Sequence, residues 1–230
     1  MKPSPFLITG VFASFAAAWF GLIVAAQTQI SRLQPEVDEE NETVYPRNIS
    51  GITEQGRQAY LSLGCNQCHT QMVRDSFHGR DIARKWGSRR TVALDYLYQG
   101  GAVLGAFRMG PDLANAGAEQ EEDSPRRHLS SPQWLYQHLY NPRSLVESSN
   151  MPPYRFLFEK RKIVGQRSAD ALDLHGADAP GADYEVVPTE KAKALVAYLR
   201  SLDRSHPINE AAGASKAPAA APAAAAGDAK

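Results

Sequence analysis

The run CNQCH at residues 65–69 constrains this chain more than any other feature, because it contains both cysteines of the 230-residue sequence. A structural zinc site would need four ligands, and the sequence offers neither a second cysteine pair nor two suitably spaced histidines. A thioredoxin-like redox pair would follow a βαβ pattern and would not use the histidine. Covalent haem attachment uses the whole motif, with both thiols joined to the haem and the histidine bound to its iron. We therefore expect Cys65, Cys68 and His69 to hold one covalent haem c, with the zinc and redox sites as alternatives.

An apolar segment near the N-terminus predicts a membrane anchor. No charged residue lies between Lys2 and Arg32. Residues 6–26, at about 1.5 Å per residue, are long enough to cross a hydrocarbon core of about 30 Å. A cleaved signal peptide is the alternative, since the sequence VAA at 24–26 suits a cleavage site. Signal peptides, however, have shorter apolar regions and more basic starts, so we expect the anchor to be retained.

The orientation of this anchor follows from the haem motif. The charges on either side of the segment do not orient it. Haem is attached to bacterial c-type proteins on the outer side of the cytoplasmic membrane. We therefore expect a single-pass protein of the cytoplasmic (inner) membrane, with its cytochrome domain on the periplasmic, outer side.

One face of the anchor carries small residues, which step by four, three and four positions: Gly10, Ser14, Ala17 and Gly21. Large apolar residues lie on the opposite face. Small residues allow another transmembrane helix to approach closely. The pattern indicates a partner embedded in the membrane, and chance in an alanine-rich segment is the alternative.

The composition of the remaining chain is that of one polar domain. The sequence has 25 basic and 25 acidic residues, and this zero net charge argues against a nucleic-acid partner. Residues 209–230 are alanine-proline low complexity and cannot form a core. We divide the chain into a transmembrane anchor (1–31), a charged linker (32–49), a mono-haem cytochrome c domain (50–208) and a disordered Ala/Pro-rich tail (209–230).

The predicted fold class is mainly α: one N-terminal transmembrane helix and a class I cytochrome c-like domain with a possible short β-hairpin. Residues 52–64 predict a helix that ends at Gly64. Residues 188–203 predict another, with Thr189 as its N-cap. In class I cytochromes c, a helix before the haem motif crosses the last helix of the domain, and Gly56 would permit that close contact.

Two further elements are predicted between these helices. Residues 131–142 have the pattern of a helix that ends at Pro142. Residues 161–165 and 184–188 are rich in β-forming side chains, so we expect them to pair as a short hairpin.

The iron needs a sixth ligand opposite His69. Met1 lies in the predicted cytoplasmic end, and Met72 is too close in sequence to cross the haem ring. Met109 precedes a Gly-Pro-x-Leu segment, which in cytochromes c lies on the histidine side, where the proline carbonyl accepts a hydrogen bond from the ligating ring.

Pro111 is therefore the candidate partner of His69, and Met109 lies on the wrong side of the haem. Met151 lies in a loop stiffened by two prolines and is the expected ligand. Ligation by His138 or His128 instead of Met151 is the alternative.

Four longer runs resemble one family: GCNQCHTQMVR (64–74), WGSRRT (86–91), MGPDLANAG (109–117) and HLYNPRSLVESSNMPPY (138–154). They are similar to the mono-haem subunit II of cbb3-type cytochrome c oxidases. The resemblance covers the anchor and most of the domain, and it implies His69 and Met151 as haem ligands with thioethers at Cys65 and Cys68. Residues 92–109 separate WGSRRT from GPDL, which are almost adjacent in the family. This separation and the long alanine-proline tail indicate a divergent branch.

The resemblance implies that the domain relays single electrons to an oxygen-reducing catalytic subunit and is not catalytic on its own. The implied partners are this membrane-embedded subunit and further cytochrome c subunits or a soluble cytochrome c. Candidates to bind the haem propionates by charge-assisted hydrogen bonds are Arg74, Arg89, Arg90, Arg143 and Tyr154. Two other functions stay open: the cytochrome c subunit of a nitric oxide reductase, and a free-standing membrane-anchored electron carrier.

Overall fold

A computed structural model describes residues 4–38, 43–119 and 124–208 of the chain. These residues form two compact units. The first combines the chain up to residue 47 with residues 93–98, and the second contains residues 48–92 and the chain from residue 99 onward. The predicted tail at 209–230 lies outside the described residues, as do Met1 and Lys2.

The first unit begins with one long apolar helix. It consists of α1 (Pro5–Trp19), a π-helical segment (Phe20–Val24) and α2 (Ala25–Ile30). None of its residues is buried, and its most apolar stretch has a mean hydropathy of 2.1. Among the described residues it is the one helix with the length and composition to cross a membrane, as the sequence predicts.

The first unit also contains a small hairpin that the sequence analysis assigned to the linker. Strands β1 (Glu36–Asp38) and β2 (Thr43–Tyr45) pair antiparallel. The Tyr45 hydroxyl donates a hydrogen bond of 2.5 Å to Asp95, which lies in a 3₁₀ helix at Ala93–Tyr96. Strands of three residues are too short for an alternating pattern to be recognised, which is why the sequence did not predict them.

The second unit contains five α-helices within its described residues: α3 (Gly51–Ser62), α4 (Cys65–Cys68), α5 (Pro132–Tyr140), α6 (Pro142–Leu145) and α7 (Glu190–Ser201). As predicted, Gly64 follows α3 in the left-handed region, with φ of 74°. Thr189 caps α7 by accepting a hydrogen bond of 3.3 Å from the Ala192 amide. A β-carbon at Gly56 would lie 1.9 Å from the Ala194 carbonyl oxygen, so α3 and α7 touch backbone to backbone where the sequence predicts their contact.

Helix α5 begins where predicted but is shorter. The Ser131 hydroxyl accepts a hydrogen bond of 3.3 Å from the Trp134 amide and caps its first turn. The helix ends at Tyr140, and Pro142 is the first residue of α6 as well as the break that the sequence predicted. A proline suits a first helical position because its missing N–H would have no partner there.

The predicted β-hairpin is present, with one strand displaced in sequence. Strand β3 (Phe158–Lys162) pairs antiparallel with β4 (Tyr184–Pro188). The second strand lies where predicted, whereas the first begins three residues earlier than the 161–165 run. Four of its five residues are exposed and charged, so they give no apolar alternation from which the strand could be recognised.

The core of the second unit joins α3, α5 and α7. The rings of Tyr60 and Tyr198, both fully buried, lie 5.5 Å apart between α3 and α7. The partly buried side chains that pack against this core include three of the predicted site: Cys65, Met151 and Tyr154. The haem motif and the loop that follows α6 thus contact the same core.

Candidate haem-binding site

The two thiols lie on one helical turn. Helix α4 consists of Cys65–Cys68 alone, and residues three apart in a helix project on the same side. The His69 amide donates a hydrogen bond of 3.0 Å to the Cys65 carbonyl and closes the turn. Neither cysteine forms a disulfide. Burial raises the pKa of the Cys65 thiol to about 11, so it stays protonated at neutral pH in the folded domain.

The ring of His69 is fixed by the Gly-Pro segment. Its Nδ1 lies 2.8 Å from the Pro111 carbonyl oxygen. Because a carbonyl can only accept, Nδ1 carries the proton and Nε2 is left with a free lone pair, the arrangement of a metal-ligating histidine. A β-carbon at Gly110 would lie 2.3 Å from Cε1 of the same ring, so only glycine fits there. Burial lowers the pKa of His69 despite the bond to Pro111, which favours the neutral ring.

Asp112 holds the motif and the Gly-Pro segment together. Its carboxylate is fully buried and accepts three hydrogen bonds: from the Thr70 hydroxyl (2.6 Å), the Met72 amide (2.8 Å) and the Ala114 amide (2.8 Å). The residues after His69 are therefore tied directly to the residues after Pro111. Sequence reasoning missed this role, although the acid lies inside the GPDL motif that it identified.

The methionines occupy different surroundings. The Met109 sulfur lies 3.8 Å from Cys68 Sγ, and this side chain is 73% exposed. Met151 is partly buried and packs against the same core as Cys65. Its loop is braced by Arg143, whose Nε donates a hydrogen bond of 3.1 Å to the Ser149 carbonyl.

His138 and His128 lie in a stack of rings close to His69. The Trp134 ring stacks on His138 at 4.5 Å and is also contacted by His128 at 4.1 Å. His138 Nδ1 is buried and has no hydrogen-bond partner among the described residues. Burial, with a smaller effect from the neighbouring His69 and His128, lowers the pKa of His138 to about 4. An unbonded nitrogen so close to His69 keeps this histidine as the alternative ligand to Met151.

The candidate propionate partners differ in their surroundings. Tyr154 lies near the motif: burial raises the pKa of its hydroxyl, and Cys65 and Cys68 raise it further. Arg74, in contrast, forms an ion pair of 3.0 Å with Asp81, which also pairs with Arg108 at 2.6 Å.

Two more candidate arginines are bonded to backbone carbonyls. Arg89 Nε donates to His206 (2.7 Å) and its Nη1 to Arg90 (2.9 Å). Arg143 bonds to Ser149, as described above.

Arg126 is a residue of this region that sequence reasoning missed. Its Nη2 donates a hydrogen bond of 2.6 Å to the Asp112 carbonyl, and its side chain is buried. In the sequence it stands beside Arg127 in a charged stretch without apolar periodicity, so nothing there distinguishes it from a surface arginine.

The donor set fits a covalently attached haem. Two free thiols on one turn precede a histidine whose Nδ1 is bonded to the Pro111 carbonyl, which leaves Nε2 for a metal, and the Met151 thioether and the His138 imidazole belong to the same unit. In the part of the chain that the structure describes, no three His, Cys, Asp or Glu side chains converge to hold a metal ion directly.

Comparison with known proteins identifies a family for the chain. No curated protein matches the chain. The family model described as cytochrome c oxidase, mono-heme subunit/FixO matches residues 13–184, which include the apolar helix from Ala13 onward, the haem motif and the Met151 loop. That description names one haem and a subunit of a larger oxidase. The match covers most of the sequence, and the chain belongs to the mono-haem subunit/FixO family of cytochrome c oxidases.

Proposed function

We propose that this chain transfers single electrons through one covalent haem c to the oxygen-reducing catalytic subunit of a membrane haem-copper oxidase. One observation carries the proposal. His69 directly follows a helical turn with two thiols, and its Nδ1 lies 2.8 Å from the Pro111 carbonyl oxygen. When bound, the haem supplies an iron that accepts and returns one electron.

Each residue of the site has a defined part in this proposal. Cys65 and Cys68 form the thioether bonds, and His69 binds the iron through Nε2. Met151 supplies the sixth ligand, and a Met/His pair favours a high reduction potential. Pro111 orients His69, while Arg74 and Tyr154 stay candidates to bind or screen the haem carboxylates.

The proposed organisation follows from the same function. Residues 1–31 anchor the chain in the inner membrane and 32–49 link the anchor to the cytochrome domain at 50–208, with the tail at 209–230. The domain lies on the periplasmic side, where further cytochrome c subunits or a soluble cytochrome c deliver electrons. The small-residue face of the anchor packs on the catalytic subunit, which carries out the oxygen chemistry.

Purification of the tagged full chain in mild detergent tests the proposal. We expect a multi-span oxidase subunit to co-purify, and haem to stay on the denatured chain after acid-acetone extraction. The double variant Cys65→Ser, Cys68→Ser should lose the haem and stop oxygen uptake by the complex. Haem that acid-acetone removes from the wild-type chain, or a chain isolated with no oxidase subunit, would contradict the proposal.

A further inference from the structure

Arg126 has a buried guanidinium that is only partly bonded. The residue is 6% exposed, and its Nη2 bonds to the Asp112 carbonyl. Its Nε and Nη1 are shielded from solvent and have no hydrogen-bond partner among the described residues. A buried cation without an anionic partner is strongly unfavourable, so these N–H groups require an acceptor that the described residues around them do not supply.

The unbonded groups lie beside the histidine side of the site. Asp112, whose carbonyl Arg126 binds, directly follows Pro111, whose carbonyl binds His69. His69 and His128 are close enough for the positive charge of Arg126 to lower the pKa of each, after the larger effect of burial. Arg126 is thus linked to the ring that would bind the iron by two hydrogen bonds to neighbouring carbonyls: Arg126 bonds to Asp112, and the His69 ring bonds to Pro111.

Asp112, the acid whose charge attracts Arg126, already accepts hydrogen bonds from other groups. The Asp112 carboxylate attracts the guanidinium electrostatically, but it accepts hydrogen bonds from Thr70, Met72 and Ala114. Its backbone carbonyl, and not its carboxylate, contacts Arg126. Asp112 therefore does not neutralise the guanidinium at hydrogen-bond distance.

Other arginines of this unit are bonded to protein groups. Arg74 and Arg108 share Asp81, and Arg89 donates to two backbone carbonyls. Their N–H groups are used to hold loops together. Arg126 differs because two of its nitrogens are buried and still unbonded.

We propose that Arg126 binds a propionate carboxylate of the haem through its unbonded N–H groups. A haem carries two carboxylates, and a charge-assisted bond to one of them supplies the anion that the buried guanidinium lacks. This inference rests on the proposed haem. It adds that Arg126 is a positioning residue, which keeps the carboxylate ionised and, as a fixed positive charge near the iron, raises its reduction potential.

The test compares Arg126→Gln with Arg127→Gln in the haem-loaded full chain. Arg127 is the exposed neighbour of Arg126 and serves as the matched control. The measurement is the reduction potential by spectroelectrochemistry across the pH range in which the protein stays folded. We expect Arg126→Gln to lower the potential and to make it pH-dependent, because the propionate then gains a proton upon reduction of the iron. Arg127→Gln should match the wild type, and Arg126→Lys should restore part of the potential.

Two results would overturn the inference while the haem stays covalently bound. One is an Arg126→Gln variant with wild-type potential and pH dependence. The other is the same loss of potential in the triple variant Glu121→Gln, Glu122→Gln, Asp123→Asn, which would assign the guanidinium to that acidic run. If Arg126→Gln does not fold, the propionate bending band in the resonance Raman spectrum of Arg126→Lys decides, since an unshifted band contradicts the contact. Absence of haem from the wild-type chain would instead contradict the proposed function.

Discussion

A weak iron ligand must be held firmly by its surroundings, and Met109 and Met151 differ in this respect. Met151 sits in a loop braced by Arg143 and packs against the core, whereas Met109 is mostly exposed beside Cys68. We expect Met151→Leu, which keeps the side-chain volume, to lose the thioether ligand and lower the potential. The reduced-minus-oxidised spectrum and the potential measure this change.

Met109→Leu is the matched control and should leave the spectrum and the potential nearly unchanged. Survival of the Met-iron charge-transfer band in the Met151 variant and its loss in the Met109 variant would reverse the assignment. Loss of low-spin character in His138→Leu, with Met151→Leu unaffected, would assign the ligand to the histidine.

Asp81 is a buried carboxylate whose charge holds two loops together. Burial alone would raise its pKa, but hydrogen bonds from Arg74 and Arg108 lower the pKa to about 2. The resulting stabilisation is complete above the unfolded pKa of 3.8 and is lost as the pH falls through about 2. We expect Asp81→Asn to lower the free energy of unfolding at neutral pH by about 2 kcal/mol, measured by denaturant titration.

The same titration near pH 2 should find the variant and the wild type much closer together, because the wild-type carboxylate is then about half protonated in the folded domain and most of its stabilisation is lost. Asp173→Asn serves as the control, since the carboxylate of this exposed acid pairs with His175 at 3.4 Å and the loss of its charge should change stability little. An equal deficit of Asp81→Asn at both pH values would show that packing, and not charge, is responsible.

At the scale of elements, the contact between α3 and α7 depends on one missing side chain. A methyl group at Gly56 would lie 1.9 Å from the Ala194 carbonyl oxygen and 2.6 Å from Tyr198 Cβ, so the helices would have to separate. We expect Gly56→Ala to destabilise the domain by about 3 kcal/mol, as an overpacked core does. Gly101→Ala is the control, because a β-carbon there has no neighbour within 4 Å. Equal melting temperatures of the two variants would contradict the close contact.

The elements that the sequence predicted are those with a local signal. Helix α7 has an N-cap at Thr189 and an apolar stripe, and α3 precedes a glycine with positive φ. Strand β3 and the β1–β2 hairpin were misplaced or missed, because charged or very short strands carry no periodicity.

The site shows the same division between local and long-range signals. The bond between Pro111 and His69 could be predicted because a short motif carries it. The buried Arg126 could not, because its burial depends on chain segments that meet only in the folded domain.

At the scale of the whole molecule, the apolar helix determines whether the protein needs detergent for extraction. None of its 26 residues, Pro5–Ile30, is buried. We expect the mature protein to start at Met1 or Lys2 and to require detergent for extraction. A chain in which a cleavable export signal replaces residues 1–33 should be soluble and keep the haem spectrum. An N-terminal sequence that begins at Gln27 would instead identify a cleaved signal peptide.

The pairing of α3 with α7 also sets the order of events during synthesis. These helices lie near opposite ends of the domain sequence, so the core cannot close until the last helix has emerged and found its partner. Until then the cysteines stay accessible on an open chain, whereas closure partly buries Cys65 and raises the pKa of its thiol to about 11. Because the proposed thioether bonds require accessible thiols, we expect slow closure to favour haem attachment.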